Sequence, residues 1–186
     1  ISMLGEWFNT IALFLLIFEY TDSEFLLGVL FTVRMLCFAL LQPISGLLAD
    51  RMNRKHIMIA SNVLQVFLAL CFLGVNGSED IWWMLALSGV MMLLHGAYVT
   101  AERAALPNIV PEEHLATANA LDAASWSSAL CIGAMLGGVV VEFYGVDAAF
   151  IIDSLTFLLS AILLIPITLP QTVGDEMKGP LFSTAA

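Results

Sequence analysis

Positive charge is scarce in this chain. Six Lys and Arg residues among 186 face sixteen Asp and Glu, giving a formal net charge of −10. A protein that tracks a phosphate backbone needs a basic surface, so nucleic acid is excluded as a partner. Charge of either sign is sparse: 12% of residues carry one, against about 25% in a soluble domain. Cysteine is rare as well. Cys37, Cys71 and Cys131 each sit inside an apolar block, with neither metal-ligand spacing nor a secreted disulfide framework. Buried, inert thiols are the expectation. There is no Gly-rich loop ending in Lys to cradle phosphate, no paired-His metal motif and no Ser/His/Asp set in an aqueous setting. The sequence therefore carries no sign of catalysis, of a metal or cofactor site, or of a built-in nucleotide-driven pump.

What fills the chain is apolar. Hydrophobic residues make up 60% and the mean hydropathy is +0.95. They come in blocks of roughly twenty, the length that crosses about 30 Å of hydrocarbon as a helix. Six spans are expected: the start to Tyr20, Phe25–Ala49, Ile57–Val75, Ile81–Leu106, Leu115–Val141 and Ala148–Leu169. Helices are required, because backbone groups facing lipid must be satisfied within their own segment. Residues 1–169 thus read as one six-helix transmembrane unit. Residues 170–186, with Gly, Pro and mixed charge, read as a cytoplasmic tail or the start of a central linker.

The few cations fix an orientation. Arg51, Arg54 and Lys55 follow span two, Arg103 ends span four and Lys178 follows span six, so five of six fall on one side. The opposite connections carry Glu19, Asp22, Glu24, Glu79, Asp80, Glu142 and Asp147 with no Lys or Arg. Positive charge is retained inside, which predicts both chain ends in the cytoplasm of a multi-pass inner (plasma) membrane protein. Tyr20, Trp82, Trp83 and Tyr144 fall where an outer aromatic belt belongs. The chain starts at Ile1 without Met or a basic flank and stops without an obvious terminus, so it reads as the first half of a longer protein.

The connection Gly46-Leu47-Leu48-Ala49-Asp50-Arg51-Met52-Asn53-Arg54-Lys55 resembles motif A of the major facilitator superfamily, G-x-x-x-D-[RK]-x-G-[RK]-[RK]. Gly46, Asp50, Arg51, Arg54 and Lys55 match, and Asn53 replaces the second Gly, where a tolerance for left-handed backbone would preserve the turn. The stretches Arg103–Pro111 and Leu115–Leu121 are similar to the macrolide-efflux and enterobactin-exporter branch. Gly133-Ala134-Met135-Leu136-Gly137-Gly138 is similar to motif C of the superfamily's antiporters, with Ala134 in place of Pro. Gly133 and Gly137 also form a G-x-x-x-G pair, so close helix packing and a gating role both stay open.

The resemblance implies half of a twelve-helix fold, built from two three-helix repeats of inverted topology, with a second six-helix half closing a central cavity. It implies a cytoplasmic latch. Gly46 would let a helix of the other half approach, Asp50 would meet the positive end of that helix, and the basic residues would pair with Glu102. A plain topology-setting loop is the alternative. It further implies a secondary active transporter for drugs, siderophores or other amphipathic small molecules, exporting them against protons by alternating access. Uptake, lysophospholipid movement, or a non-transporting receptor or assembly role are the other readings.

Ionisable residues at membrane depth are functional candidates by default. Glu6, Arg34 and His95 fall roughly 21, 17 and 21 Å from the outer ends of spans one, two and four. They are expected to form one polar site. Burial favours a neutral carboxyl and an adjacent guanidinium favours the charged form, so making or breaking a Glu6–Arg34 contact would move a proton. An imidazole at His95 suits the same task. The alternatives are an interfacial Glu6, a charge-neutralising Arg34 and a packing His95. Asp122, near the inner boundary of span five, and Asp153, ~9 Å into span six, are weaker candidates. Asp153 suits a capping or helix-bridging role.

Overall fold

A computed structural model describes residues 2–169, apart from the side chain of Asp50. The expected tail, 170–186, lies outside the described residues. The helices are α1 (Ser2–Thr21), α2 (Glu24–Arg51), α3 (Arg54–Cys71), α4 (Ile81–Ile109), α5 (Leu115–Tyr144) and α6 (Val146–Leu164). All six are long and apolar enough to cross a membrane. Short 3₁₀ turns at Phe72–Gly74, Ser78–Asp80 and Glu112–His114 complete the connections.

The helix ends follow local chemistry. Ser23 caps α2 by accepting from the Leu26 amide at 3.4 Å. Asn53 caps α3 by accepting from the His56 amide at 3.3 Å. Its backbone is extended (φ −63°, ψ 112°), so its value at this turn is the cap and not left-handed tolerance. A single residue, Gly145, links α5 to α6 at φ +83°, a conformation that side chains disfavour. Helix α6 stops at Leu164, short of the Leu169 expected. Pro166 has no amide to continue the ladder, and Ile165 and Ile167 fall back on the Ile162 and Leu164 carbonyls.

Helix α1 packs on α5 and α6, α2 on α4, and α3 on α4 and α6. Exchange α1 with α4, α2 with α5, and α3 with α6. The α2–α4 contact becomes α5–α1, α1–α6 becomes α4–α3, and α3–α6 maps onto itself. Two three-helix units related in this way, with an odd number of spans in each, are the inverted-repeat arrangement.

Glycines set the closest seams, because lipid supplies no hydrophobic drive between helices and backbone approach must do so. A Cβ at Gly133 would stand 2.9 Å from Trp7 Cβ and 3.1 Å from the Leu4 carbonyl. One at Gly137 would stand 3.2 Å from Phe8 Cα. Both therefore pack α5 against α1, whereas Gly138 has no such neighbour. At Gly5 a Cβ would collide with Thr156 Oγ1 and lie 2.7 Å from Asp153 Oδ1, which fixes α1 on α6.

The larger apolar core lies toward the acidic end, around Leu13, Ile17, Leu30, Met84, Met91 and the stacked Phe72–Phe150 pair. A smaller cluster of Ala49, Ile57, Met58 and Ala101 lies at the basic end, the end that bears the α2–α3 connection. Trp82, Trp83 and Tyr144 are exposed at the acidic end. The cysteines are a correction: Cys71 and Cys131 are exposed and Cys37 is half-buried. An outward-facing position on a lipid-crossing helix meets a thiol's apolar preference as well as a core does.

Candidate functional site

Glu6 and Thr10 stand one turn apart on α1, and Ser88 and His95 stand two turns apart on α4, so each pair shares a helix face. Arg34 of α2 reaches between them. Its Nη2 donates to Thr10 Oγ1 at 2.9 Å and its Nη1 donates to Ser88 Oγ at 3.3 Å. The same Nη2 lies 3.6 Å from Glu6 Oε1, and His95 Nδ1 lies 3.1 Å from Glu6 Oε2. The Thr10 hydroxyl in turn donates to the Glu6 carbonyl at 2.8 Å, which fixes the hydroxyl's orientation and leaves its oxygen to accept from Arg34.

One carboxylate is thus held between a guanidinium and an imidazole, on three helices. Arg34 is 4% exposed, so its charge is almost wholly removed from solvent and rests on these partners. The cluster forms part of the wall of a cavity of about 260 Å³, with Phe31, Met92 and Trp126 among its apolar lining. The arrangement can hold one negative charge between a guanidinium and an imidazole, largely away from solvent.

A second cavity, of about 570 Å³, lies on the basic-end side. Glu102 and Arg103 of α4 face Asn119 and Asp122 of α5 across it, and His95 belongs to its wall as well. Glu102 looks into this cavity and has Asp122 as an electrostatic neighbour. It is not paired with the basic residues of the α2–α3 connection, Arg51, Arg54 or Lys55, among the described residues. The reason is rotational: the α4 face that carries Glu102 is the one that carries His95, seven residues earlier.

The basic residues do something else. Arg54 donates through Nε to the Ala49 carbonyl at 3.3 Å and through Nη1 to the Ala104 carbonyl at 2.7 Å. Lys55 Nζ donates to the Ile165 carbonyl at 2.6 Å. The Ala49 and Ile165 acceptors lie in the last turn of α2 and just past α6, where carbonyls lack helical partners and cations are favoured, and Ala104 lies five residues before the end of α4. Arg54 and Lys55 therefore staple three helices together. Arg51 is exposed. Gly46 has no atom of the described residues within 4 Å of where a Cβ would sit. The side chain of Asp50, on which the latch idea turns, lies outside the described residues.

Asp153 is fully buried behind Gly5 and lines neither cavity. Its carboxylate faces the Asn9 amide without a hydrogen bond of good geometry, and it feels both Glu6 and Arg34. Asp153 thus lies at the α1–α6 contact. Thr10 and Ser88 join the site from positions that no charge marks in the sequence. Their signal was periodicity: Thr10 is four residues from Glu6, and Ser88 is seven from His95.

Comparison with known proteins bears on this geometry. The family model described as Major Facilitator Superfamily matches residues 1–184. The chain belongs to that family. It is 29% identical over 165 residues to the uncharacterized MFS-type transporter YfiS of Bacillus subtilis (strain 168), covering 88% of this chain and 39% of the relative. It is 28% identical to the multi-drug resistance efflux pump PmrA homolog of Lactococcus lactis subsp. lactis (strain IL1403), covering 77% of this chain and 35% of the relative. It is 29% identical to the multidrug resistance protein MdtG of Serratia proteamaculans (strain 568), covering 68% and 30%. The chain spans less than half the length of these curated relatives. A multi-pass membrane protein of a transporter family, built as one six-helix half, accounts for the fold and the buried charges together.

Proposed function

We propose that this chain is the N-terminal half of a proton-coupled exporter of amphipathic small molecules such as drugs or siderophores. Glu6 is its proton carrier, and both chain ends lie in the cytoplasm. The observation that carries this reading is Glu6 itself, shared between Arg34 and His95 on a cavity wall at membrane depth. Ionisable groups are expensive there and mark ion or substrate paths. Protonation of Glu6 removes its attraction to Arg34, and that changes which helix packing is favoured. Relatives named as multidrug efflux proteins support export over uptake. In the intact protein a second six-helix half faces the cavity, and the two halves rock about it. Motif A latches the cytoplasmic side through Asp50, which meets a helix of the second half, while Arg54 and Lys55 tie together α2, α4 and α6 of this half.

The test uses the full-length protein in efflux-deficient cells. Accumulation of a panel of fluorescent lipophilic dyes and macrolides is followed with and without a protonophore. The expected result is low accumulation that the protonophore raises to the level of cells lacking the protein. Glu6→Gln is expected to abolish the difference at normal membrane levels. Proton-driven efflux that survives Glu6→Gln would remove Glu6 from the mechanism. Unchanged accumulation across the panel would move the reading to uptake, lysophospholipid movement or a non-transport role. Asp50→Asn with full transport would dispose of the latch.

A further inference from the structure

The two cavities have four lining residues in common: Met3, Phe38, His95 and Trp126. Met, Phe and Trp side chains cannot both take and give a proton. Imidazole can, one nitrogen at a time. His95 Nδ1 is committed to Glu6 Oε2 at 3.1 Å, which makes it the donor nitrogen in the neutral ring and leaves Nε2 as an acceptor. On the basic-end side, Glu102 and Asp122 share the wall of the larger cavity. Glu102 stands two turns further along α4 on the face of His95, ~10 Å away along the axis. A cavity of about 570 Å³ with this polar lining is roomy enough for a chain of waters, each of which occupies about 30 Å³ in the liquid.

We propose that His95 is the relay by which protons pass between the Glu102–Asp122 pair in the basic-end cavity and Glu6 in the midplane cavity. The proposal rests on Glu6 being the carrier and adds the route by which it is loaded or emptied. The charged and titratable groups around the ring are Glu6 from α1, Arg34 from α2, Glu102 and Arg103 from α4 and Asp122 from α5, with Asp153 of α6 one layer behind Gly5. In the loading direction a carboxyl of the pair gives its proton to cavity water and becomes a carboxylate. Water passes a proton to His95 Nε2, and the Nδ1 proton moves to Glu6 Oε2. Glu6 ends neutral and the ring ends neutral with its hydrogen on Nε2. The tautomer resets by loss of the Nε2 proton to, and gain of an Nδ1 proton from, water of the same basic-end cavity, so that no proton crosses back in that step. Emptying is the same sequence reversed. Arg34 is not a rival relay, because its guanidinium does not deprotonate and its Nη atoms are taken by Thr10 and Ser88.

The experiment uses the full-length protein in liposomes, a pH jump, and time-resolved infrared detection of the carboxyl C=O stretch. The Glu6 band is the one that Glu6→Gln removes. His95→Asn and His95→Gln keep a donor for Glu6 but cannot pass a proton on. The expected result in both is a Glu6 band of unchanged final amplitude that rises about a hundredfold or more slowly, in line with the loss of a positioned acid–base group. Glu102→Gln combined with Asp122→Asn is expected to slow it likewise. Added imidazole is expected to restore part of the rate in His95→Ala, which a purely structural role for the ring does not predict. A Glu6 band that rises at the normal rate in both His95→Asn and His95→Gln overturns the relay and leaves Glu6 as carrier. If Glu6→Gln removes no band, Glu6 takes no proton, and carrier and relay fall together.

Discussion

Arg34 shows what one buried charge demands of its neighbours. At 4% exposure it has lost its water, and two hydroxyls plus one carboxylate from two other helices replace it. Glu6, Arg34 and His95 were legible in the sequence because ionisable residues stand out inside apolar runs, and helix rise gives their depth. The hydroxyls were not legible, because Ser and Thr satisfy themselves on their own helix in most membrane spans and carry no mark of a partner elsewhere. The facing direction of Glu102 was not legible for a related reason: depth follows from counting residues, whereas facing direction depends on how α4 is rotated against α5. Thr10→Val tests the network. It keeps the side-chain shape and removes the acceptor of Arg34 Nη2. The expected cost is about 0.6–1.7 kcal/mol, the range of side-chain hydrogen bonds in a membrane helical protein, read as a lower unfolding temperature of the purified full-length protein. An unchanged unfolding temperature would mean that Arg34 is held by Glu6 and Ser88 alone.

At the scale of helices, the seams are set by where a methyl group does not fit. The G-x-x-x-G pair in α5 lies against Trp7 and Phe8 of α1, which is the packing reading of the motif C-like stretch. Gly133→Ala forces a Cβ to within 2.9 Å of Trp7 Cβ, and the expected overpacking cost is about 1–3 kcal/mol. Gly138→Ala, open on its side of α5, is expected to cost less. Equal unfolding temperatures for the two variants would take α1–α5 packing out of the account of this stretch. The caps make a second case. Asn53→Ala removes the acceptor of the His56 amide and is expected to cost about 1 kcal/mol, whereas Asn53→Gly is expected to cost a few tenths. That ordering is what a cap predicts. A turn needing left-handed backbone would instead rank Gly above Asn. The end of α6 could have been read from Pro166, but apolar residues run on past it and hydropathy alone carried the expected span to Leu169.

The whole molecule was the most legible scale, because span count, short connections and charge asymmetry each depend on composition more than on facing. The inverted repeat is expected from the family resemblance and not from any internal sequence repeat, and the contacts carry it: which helix touches which is symmetric under exchange of the two triplets. The least buried helices are α2 and α5, the second members of their triplets. Three of the residues that line the smaller cavity, Phe31 and Met35 of α2 and Trp126 of α5, are themselves exposed. A second half would cover that side and turn an open wall into a chamber. How the chamber opens depends on orientation, and orientation is testable apart from transport. With Cys37, Cys71 and Cys131 replaced by Ala in the full-length protein, Ser78→Cys places a thiol in the exposed connection at the acidic end. Met52→Cys places one, also exposed, between α2 and α3 at the basic end. A membrane-impermeant thiol reagent applied to intact cells is expected to label Ser78→Cys and to label Met52→Cys only after lysis. The reverse pattern would put Arg51, Arg54 and Lys55 outside, against the retention of positive charge that set the orientation. It would also turn the Glu102–Asp122 cavity toward the exterior, so that protons driven into the cell would reach Glu6 through His95 instead of leaving by it.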